Sequence, residues 1–278
     1  MSRATRAFFV VSSGRSGTAM LQKALSAAGQ IEMHHEYMVH IVQPLAVRRA
    51  MGWVARGETL DILRATYASA IRYSDAPLWG DSSNKISWLI PELAELLPDA
   101  KFIHLVRDGR KVSSSYFHKL GEECYDDRST AALQAYADNP ARDLPPPPEK
   151  KYWWPLPRQN DPAAQAFRSF DQFERIAWHW AEINRVILDS LSALAAERRH
   201  FARLEALHEN PGAVAALFEF LGLSCGNDIV EMFARPHNVN RPLDKLLDAR
   251  QSTQFEAIAG AMMARLGYAG RPEYVVNY

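Results

Sequence analysis

The sequence has little of what disulfide-rich, zinc-binding or nucleic-acid-binding proteins need. Its two cysteines, Cys124 and Cys225, lie far apart and form no C-x-x-C pair. That argues against a disulfide framework and a zinc site, and it favours a reducing cytoplasm. The 32 basic and 32 acidic residues cancel, so no overall positive field would attract nucleic acid. We therefore expect no nucleic-acid partner, and any anion site must be built locally.

Long apolar runs are also missing. The apolar run near the N-terminus, Phe8–Val11, is too short for the core of a signal peptide, and no other run approaches the length of a membrane-spanning helix. We expect no membrane span and a cytoplasmic location. The histidines His104, His179 and His237 show no metal-ligand spacing, so we interpret them as structural and expect no bound metal.

What the sequence does contain is an alternation of strand and helix patterns. The apolar run Ala7–Val11 predicts a buried strand, and the helical spacing over Thr18–Ala28 predicts a helix after it. The order then repeats, with a helix predicted over Trp88–Leu97, a strand over Lys101–Val106 and a helix from about Arg110 to Lys119. Strands that alternate with helices predict an α/β fold, in which helices flank a parallel sheet.

The second half continues this pattern after an interruption. Further elements are predicted as a long helix over Phe173–Leu191, a strand over Phe201–Leu204, a helix over Pro211–Leu221 and a last helix over Phe255–Leu266. The segment 121–162 breaks the rhythm with a proline tract and two adjacent tryptophans. We predict a single domain over residues 1–278, with 121–162 as a long loop excursion that could cover an acceptor site.

A glycine-containing turn, Ser13–Thr18, lies between the first predicted strand and helix. Amides at a helix start point outward, and the helix dipole favours a negative charge there. Ser16 and Thr18 add hydroxyl donors, and Arg15 adds a permanent charge with a planar fork of donors. No Lys precedes Thr18, so this is not the nucleoside-triphosphatase loop. The pattern predicts a phosphate site, the alternative being a plain turn with a Thr cap.

A second anion site is predicted at the end of the strand Lys101–Val106. Arg107 follows this strand directly, and Ser115 lies eight residues later, on the predicted helix. An Arg fork together with a hydroxyl suits a terminal phosphate monoester, whose oxygens accept several charge-assisted hydrogen bonds. The alternative is an ion pair of Arg107 with Asp108 or Asp99.

Together the two sites resemble those of sulfotransferases that use 3′-phosphoadenosine 5′-phosphosulfate (PAPS). The string Arg15–Thr18 is similar to the 5′-phosphosulfate loop of the tyrosylprotein-type enzymes and their bacterial relatives, and the Arg107 and Ser115 pair resembles the 3′-phosphate motif. Lys119 matches a further basic position. The resemblance implies a P-loop-like parallel sheet, PAPS as donor co-substrate and no metal. It implies nucleotide contacts from Ser13, Gly14, Arg15, Ser16, Gly17, Thr18, Ala19, Arg107, Ser115 and Lys119.

Shorter strings extend the resemblance along most of the chain. They are Trp79–Lys85, Leu204–Leu207, Glu209–Pro211, Val239-Asn240 and Leu266–Tyr268. Two positions depart from the family pattern, because Leu204 stands where Tyr is frequent and Leu246 where Trp is common. The residues that contact the adenine therefore stay open, and nucleoside contacts from those two stretches are not predicted.

The resemblance also implies the catalytic residues. Arg15 is placed to stabilise charge that develops during transfer, and Lys85 could either stabilise charge or hand over a proton. In the tyrosylprotein type the general base is a Glu twenty-one residues after the loop Arg, which is Glu36 here. In the small-molecule type it is a His, so His35 is the alternative base.

Other functions and the identity of the acceptor stay open at this point. A P-loop kinase for small molecules would need a metal, which Arg107 at the strand end would repel, and a non-catalytic nucleotide-binding module would not need both Arg15 and Glu36. The acceptor hydroxyl could belong to a carbohydrate, a lipid, a small metabolite or a peptide, and a homo-oligomer is an open alternative. Tyr152, Trp153 and Trp154 suit either an acceptor pocket or a loop anchor.

Overall fold

A parallel β-sheet forms the centre of the molecule. The computed structural model describes residues 5–139, 144–234 and 246–273. Within these residues, five strands pair in the order β2-β3-β1-β4-β5, and every pair is parallel. The strands are β1 Arg6–Val11, β2 Ile31–His35, β3 Leu78–Ser83, β4 Lys101–Val106 and β5 Arg199–Arg203.

Helices connect the strands and cover both faces of the sheet. They are α1 Thr18–Ala27, α2 Val39–Ala50, α3 Arg56–Leu63, α4 Ser69–Tyr73, α5 Ile90–Leu96, α6 Gly109–Lys119, α7 Asp127–Asp138, α8 Ala164–Phe167, α9 Gln172–Ser192, α10 Leu204–Glu209, α11 Pro211–Leu221, α12 Asn227–Ala234 and α13 Ala249–Arg265. A π-helical turn, Arg64–Ala68, joins α3 to α4, and 3₁₀ turns occur at Lys85–Leu89, Lys150–Tyr152 and Ala196–Arg198.

Alternating side chains of the central strands fill two separate apolar layers. Phe9 and Phe102 belong to the layer beneath α2, α5 and α9, whereas Phe8 and Ile103 belong to the layer beneath α1, α11 and α12. Both faces of β1 and β4 are therefore buried, which explains why these strands are continuous apolar runs. A third apolar cluster lies where α6, α9 and α13 meet, and it includes Trp154.

Most predicted elements are present, and the ends of several are shifted. Strand β4 and helix α11 have the predicted bounds. The predicted helix over Trp88–Leu97 instead begins as the 3₁₀ turn at Lys85 and becomes α-helical only at Ile90. Leu204 is not the end of a strand but the first residue of α10, since β5 runs over Arg199–Arg203.

The excursion 121–162 is not a loop throughout, because it contains α7. The carboxylate of Asp126 caps this helix by accepting a hydrogen bond from the Ser129 amide at 2.9 Å. Val239-Asn240 and His237, for which expectations were stated above, lie outside the described residues. Among the residues that are described, no helix is both long and apolar enough to cross a membrane.

Candidate functional site

The carboxyl ends of the parallel strands meet at one edge of the sheet, and a cleft opens there. The turn after β1, Glu36 after β2, Lys85 after β3 and the helix after β4 all contribute to its lining. The other side is lined by residues of the segment Pro148–Trp154. The cavity has a volume of about 640 Å³, within the usual range for small-molecule sites.

The turn Ser13–Thr18 is held in a fixed shape by contacts to the rest of the site. Gly14 has a φ of 80°, and a Cβ atom there would lie 2.0 Å from the Tyr116 hydroxyl oxygen. That hydroxyl donates a hydrogen bond to the Ser13 carbonyl at 2.9 Å. Gly17 has a φ of 87°, and a Cβ atom there would lie 2.6 Å from Leu204 Cδ1. Glycine is therefore required at both positions for two reasons, the backbone conformation and the lack of space.

Hydroxyl groups of the turn are partly engaged with one another. The Ser16 hydroxyl donates to the Gly14 carbonyl at 2.9 Å and lies 3.2 Å from the Ser13 hydroxyl oxygen. The Ser12 hydroxyl accepts a hydrogen bond from the Gly14 amide at 3.0 Å. Thr18 and Ala19 form the first turn of α1.

The two predicted anion sites meet in space. Arg15 Nε donates to the Ser115 hydroxyl at 2.9 Å, and Arg107 Nη1 donates to the Arg15 carbonyl at 3.2 Å. Arg15 is exposed at the cleft, with a φ of 54°. Lys119 lies in the last turn of α6. Among the described residues, the cleft lining includes Arg15 but not Arg107, Ser115 or Lys119.

Lys85 lies in the floor of the cleft with its ammonium group against an aromatic ring. The side chain is 1% exposed, and Nζ lies 3.7 Å from the centroid of the Trp154 ring. Within the described part of the chain, Nζ has no hydrogen-bond partner. Burial lowers the pKa of Lys85 to about 7, and the nearby Cys124 and Glu36 oppose this shift. The group is therefore close to its titration midpoint at neutral pH.

Both candidate bases line the cleft at the end of β2. His35 Nδ1 lies 2.9 Å from both the carbonyl and the hydroxyl oxygen of Ser82. Glu36 has a φ of 57°, and its amide donates to the same Ser82 carbonyl at 3.1 Å. His34 does not belong to the cleft lining, because its ring packs on Trp79 at 4.8 Å between centroids.

Aromatic side chains pack behind the segment Pro148–Trp154. The Trp154 ring lies 5.3 Å from that of Tyr116 and 5.4 Å from that of His179, and Trp154 Nε1 donates to the Glu123 carbonyl at 2.5 Å. His179 Nδ1 lies 3.1 Å from the Tyr125 hydroxyl oxygen, and burial lowers the pKa of His179 well below its usual value. This histidine is therefore neutral and belongs to the packing. The described residues include no cluster of three or more His, Cys, Asp or Glu side chains that could hold a metal ion.

Several residues of the cleft were not identified from the sequence. They include Asn84, Tyr116, His40 and Gln43. Tyr116 follows Ser115 within the motif, and Asn84 lies within the string Trp79–Lys85, so position beside a motif residue was the available signal. His40 and Gln43 lie on α2, which carries no motif.

Comparisons with known proteins bear on the family and the fold of the chain. Residues 7–144 match the model of a family described as "Sulfotransferase family". No curated protein sequence matches the chain. The fold is similar to that of the sulfotransferase domain from the curacin biosynthetic pathway, with 15% identity, a TM-score of 0.53 and coverage of 96% of this chain and 99% of that one.

A second structure similar in fold is the sulfotransferase from Alicyclobacillus acidocaldarius, with 16% identity, a TM-score of 0.53 and coverage of 95% of both chains. A third is the sulfotransferase domain of the Synechococcus PCC 7002 olefin synthase, with 14% identity, a TM-score of 0.50 and coverage of 100% of this chain and 98% of that one. At these identities the likeness concerns the fold, and it confirms the predicted P-loop-like α/β architecture.

Proposed function

This chain belongs to the sulfotransferase family, and from that premise we propose that it moves a sulfuryl group from PAPS to the hydroxyl of an acceptor. The observation that carries the proposal is the meeting of two anion sites at one edge of the sheet, through the contacts of Arg15 with Ser115 and Arg107. PAPS is anionic at both its 5′-phosphosulfate and its 3′-phosphate. A ligand of this kind needs two such sites within one molecule's length.

In this proposal the turn and the first residues of α1 hold the 5′-phosphosulfate. The residues are Ser13, Gly14, Arg15, Ser16, Gly17, Thr18 and Ala19. Arg107, Ser115 and Lys119 hold the 3′-phosphate. The Ser115 hydroxyl accepts from Arg15, which leaves its own hydrogen free to be donated to a phosphate oxygen.

Transfer is proposed to occur in line. The acceptor oxygen attacks sulfur, the bond between sulfur and the 5′-phosphate oxygen breaks, and the acceptor proton passes to a base. Arg15 neutralises the charge that develops on the phosphate oxygens, a role for which no metal is needed because guanidinium remains charged. Lys85, whose pKa is lowered to about 7 by burial, can donate a hydrogen bond or a proton to the departing oxygen.

Glu36 is the proposed base, with His35 as the alternative. Glu36 is half-buried and lines the cleft beside Arg15. His35 is also suited to the role, because an Nδ1 that donates to the Ser82 carbonyl leaves the lone pair of Nε2 available. Because a carboxylate and an imidazole differ in chemistry, substituting Glu36 and His35 one at a time identifies which of them is the base.

We further propose that the segment Pro148–Trp154 forms the acceptor side of the site. Its residues Glu149, Lys150, Trp153 and Trp154 line the cleft opposite the turn. A wall with two tryptophans and a charge of each sign can pack on an apolar or ring-shaped acceptor and still bond its polar groups.

The direct test is a nucleotide-binding and transfer assay. We expect calorimetry to show that adenosine 3′,5′-bisphosphate binds more tightly than adenosine 5′-monophosphate, and we expect label to pass from radioactive PAPS to a component of pooled metabolites. Arg107→Ala should weaken binding of the bisphosphate by about tenfold to a hundredfold, the scale of a lost charge-assisted contact.

Arg64→Ala is a suitable control, because Arg64 is exposed and pairs only with Asp61 on the surface of α3 among the contacts described. Equal wild-type affinity for the two nucleotides would contradict the donor assignment. Turnover that requires Mg²⁺ and a nucleoside triphosphate would favour the kinase alternative.

A further inference from the structure

One short segment, Arg203–Glu205, contacts both anion-binding loops. Leu204 packs against Gly17 of the turn after β1, so closely that a Cβ atom on Gly17 would lie 2.6 Å from Leu204 Cδ1. The neighbouring Glu205 reaches the other loop, where its Oε1 accepts a hydrogen bond from the Asp108 amide at 2.9 Å. Glu205 is 6% exposed. A buried carboxylate therefore accepts a hydrogen bond from the backbone amide that follows Arg107.

The Asp108 amide belongs to the peptide group that joins Arg107 to Asp108. On the other side of this residue, the Asp108 carboxylate accepts from Arg110 N at 2.9 Å, Nε at 3.0 Å and Nη2 at 2.7 Å, and it caps α6. Asp108 is thus fixed through both its amide and its side chain. Because a peptide group is planar, fixing its amide also fixes the direction in which the chain leaves Arg107.

The second oxygen of the Glu205 carboxylate is held by the C-terminal region. Tyr268 donates its hydroxyl to Glu205 Oε2 at 2.8 Å. Gly267, with a φ of 77°, turns the chain at the end of α13, and the Tyr268 amide then bonds back to the Met263 carbonyl at 2.8 Å. Arg203 donates to the Leu266 carbonyl at 3.0 and 2.9 Å. These contacts direct the Tyr268 ring inward, onto Glu205.

A carboxylate in this place would be unfavourable without such partners. Burial raises the pKa of Glu205, and the nearby Asp108 charge acts in the same direction, whereas the hydrogen bonds from the Asp108 amide and Tyr268 oppose the shift. An apolar side chain would avoid this cost. The side chain therefore points to a requirement for a polar group that bonds both the Asp108 amide and the Tyr268 hydroxyl.

We propose that Glu205 is a positioning residue, which together with Tyr268 fixes the Arg107–Asp108 peptide so that Arg107 presents its guanidinium to the 3′-phosphate of the donor. This inference rests on the proposed function. It concerns two family-like strings, Leu204–Leu207 and Leu266–Tyr268, to which the proposed chemistry gives no role.

The test compares two nucleotides that differ only in the 3′-phosphate. Calorimetry gives the affinity for adenosine 3′,5′-bisphosphate and for adenosine 5′-monophosphate, and their ratio measures the preference for the 3′-phosphate. Glu205→Ala leaves the Asp108 amide without its acceptor, so we expect the preference to fall by about tenfold, while binding of the monophosphate changes little. Loss of stability alone would not change the ratio.

Two conservative variants sharpen the test. Glu205→Gln should keep the wild-type preference, because its amide oxygen can accept from Asp108 and its amide nitrogen can donate to the Tyr268 oxygen. Tyr268→Phe keeps the ring but removes the hydroxyl, so we expect an intermediate loss of about threefold. If Glu205→Ala does not fold, Tyr268→Phe decides, and a wild-type preference in that variant overturns the inference.

A matched control is Glu92→Ala. Glu92 is also a buried carboxylate, paired with Arg49 at 2.8 Å, but it lies on α5 and not in the cleft lining. It should lower the melting temperature and leave the preference unchanged. If the wild type prefers the 3′-phosphate and Glu205→Ala does so equally, the inference is wrong and the proposed function stands. If the wild type shows no preference, the donor assignment is wrong and the inference falls with it.

Discussion

The two sides of the cleft are built in different ways. The sheet side, formed by the turn after β1 and the residues that follow β2 and β3, is fixed by hydrogen bonds such as that from Tyr116 to the Ser13 carbonyl. The loop side, Pro148–Trp154, is held mainly by aromatic packing, with Trp154 bonded to the Glu123 carbonyl. Groups that bind an unvarying co-substrate belong on rigid strand ends, whereas a wall outside the sheet can change with the acceptor and leave the fold intact. We therefore expect substitutions on the sheet side to lower turnover more than substitutions on the loop side.

The largest effect is expected on the sheet side, at Arg15. In the proposed mechanism Arg15→Ala removes a charge that is needed most when the bond to sulfur breaks, so turnover should fall by about a thousandfold. Affinity for adenosine 3′,5′-bisphosphate should fall much less. Single-turnover kinetics and calorimetry measure the two quantities, and Arg64→Ala provides the control. An unchanged turnover number with a raised Michaelis constant would make Arg15 a binding residue only.

The next largest effect is expected at the candidate base. Glu36→Gln keeps the size and hydrogen bonding of the side chain but cannot take a proton, so turnover should fall by at least about a hundredfold with unchanged nucleotide binding. His35→Ala, measured in parallel, should be affected less. The opposite order of the two rates would assign the base to His35.

Lys85 lies where the two sides of the cleft meet. The pH dependence of the free energy of unfolding reports its titration. Burial lowers the pKa of Lys85 from 10.5 to about 7, so between these values the unfolded chain binds more protons than the folded chain. The free energy of unfolding should therefore rise with pH across this window, by about 1.4 kcal/mol per pH unit, or about tenfold in the unfolding equilibrium. Lys85→Met should lack this rise, and it should exceed the wild type in stability most clearly below pH 7.

Denaturant titrations at several pH values measure the difference between the two proteins. Other groups titrate in both and cancel. Parallel stability curves from pH 7 to 10 would mean that Lys85 is solvated and keeps its ordinary pKa.

The smallest effect is expected on the loop side, at Trp154. Trp154→Leu keeps the pocket apolar but removes the ring beneath the Lys85 ammonium group, so turnover at pH 7 should fall by about fivefold, the scale of a cation–π contact. Trp154→Phe should retain most of the rate. Nucleotide affinity should be unchanged in both variants. Equal losses in the two variants would show that the bulk of the side chain, rather than its ring, is what matters.

Sequence patterns predicted the sheet side better than the loop side, for physical reasons. The strand β4 and the turn after β1 can be identified from neighbouring residues alone, because one is a continuous apolar run and the other is a glycine-containing turn. The strand β2 was missed because it lies at the sheet edge and is rich in polar residues, and β3 was missed because half of its buried residues are polar. Neither shows the apolar run or alternation that identifies a strand.

The composition of the cleft depended on contacts that no local pattern contains. The approach of Lys85 to Trp154 joins residues separated by a strand, three helices and the segment 140–143, and it depends on the third apolar cluster. The contact of Arg15 with Ser115 is different, because two motifs of one known kind of site predicted that both would face one ligand. The motifs thus carried tertiary information for Arg15 and Ser115, whereas no local pattern did so for Lys85 and Trp154.

Arg15 and Glu36 have φ values of 54° and 57°. At these two positions the stability of the fold and the proposed catalysis favour different residues. At each position the backbone has a positive φ, which glycine adopts without strain and other residues adopt at a cost of about 1 kcal/mol. A population selected for thermal survival alone should therefore accumulate glycine at both positions, gaining heat resistance and, under the proposed mechanism, losing turnover. In the proposed mechanism, continued selection for catalysis keeps both side chains, so the identity of residues 15 and 36 records whether a lineage still depends on the reaction.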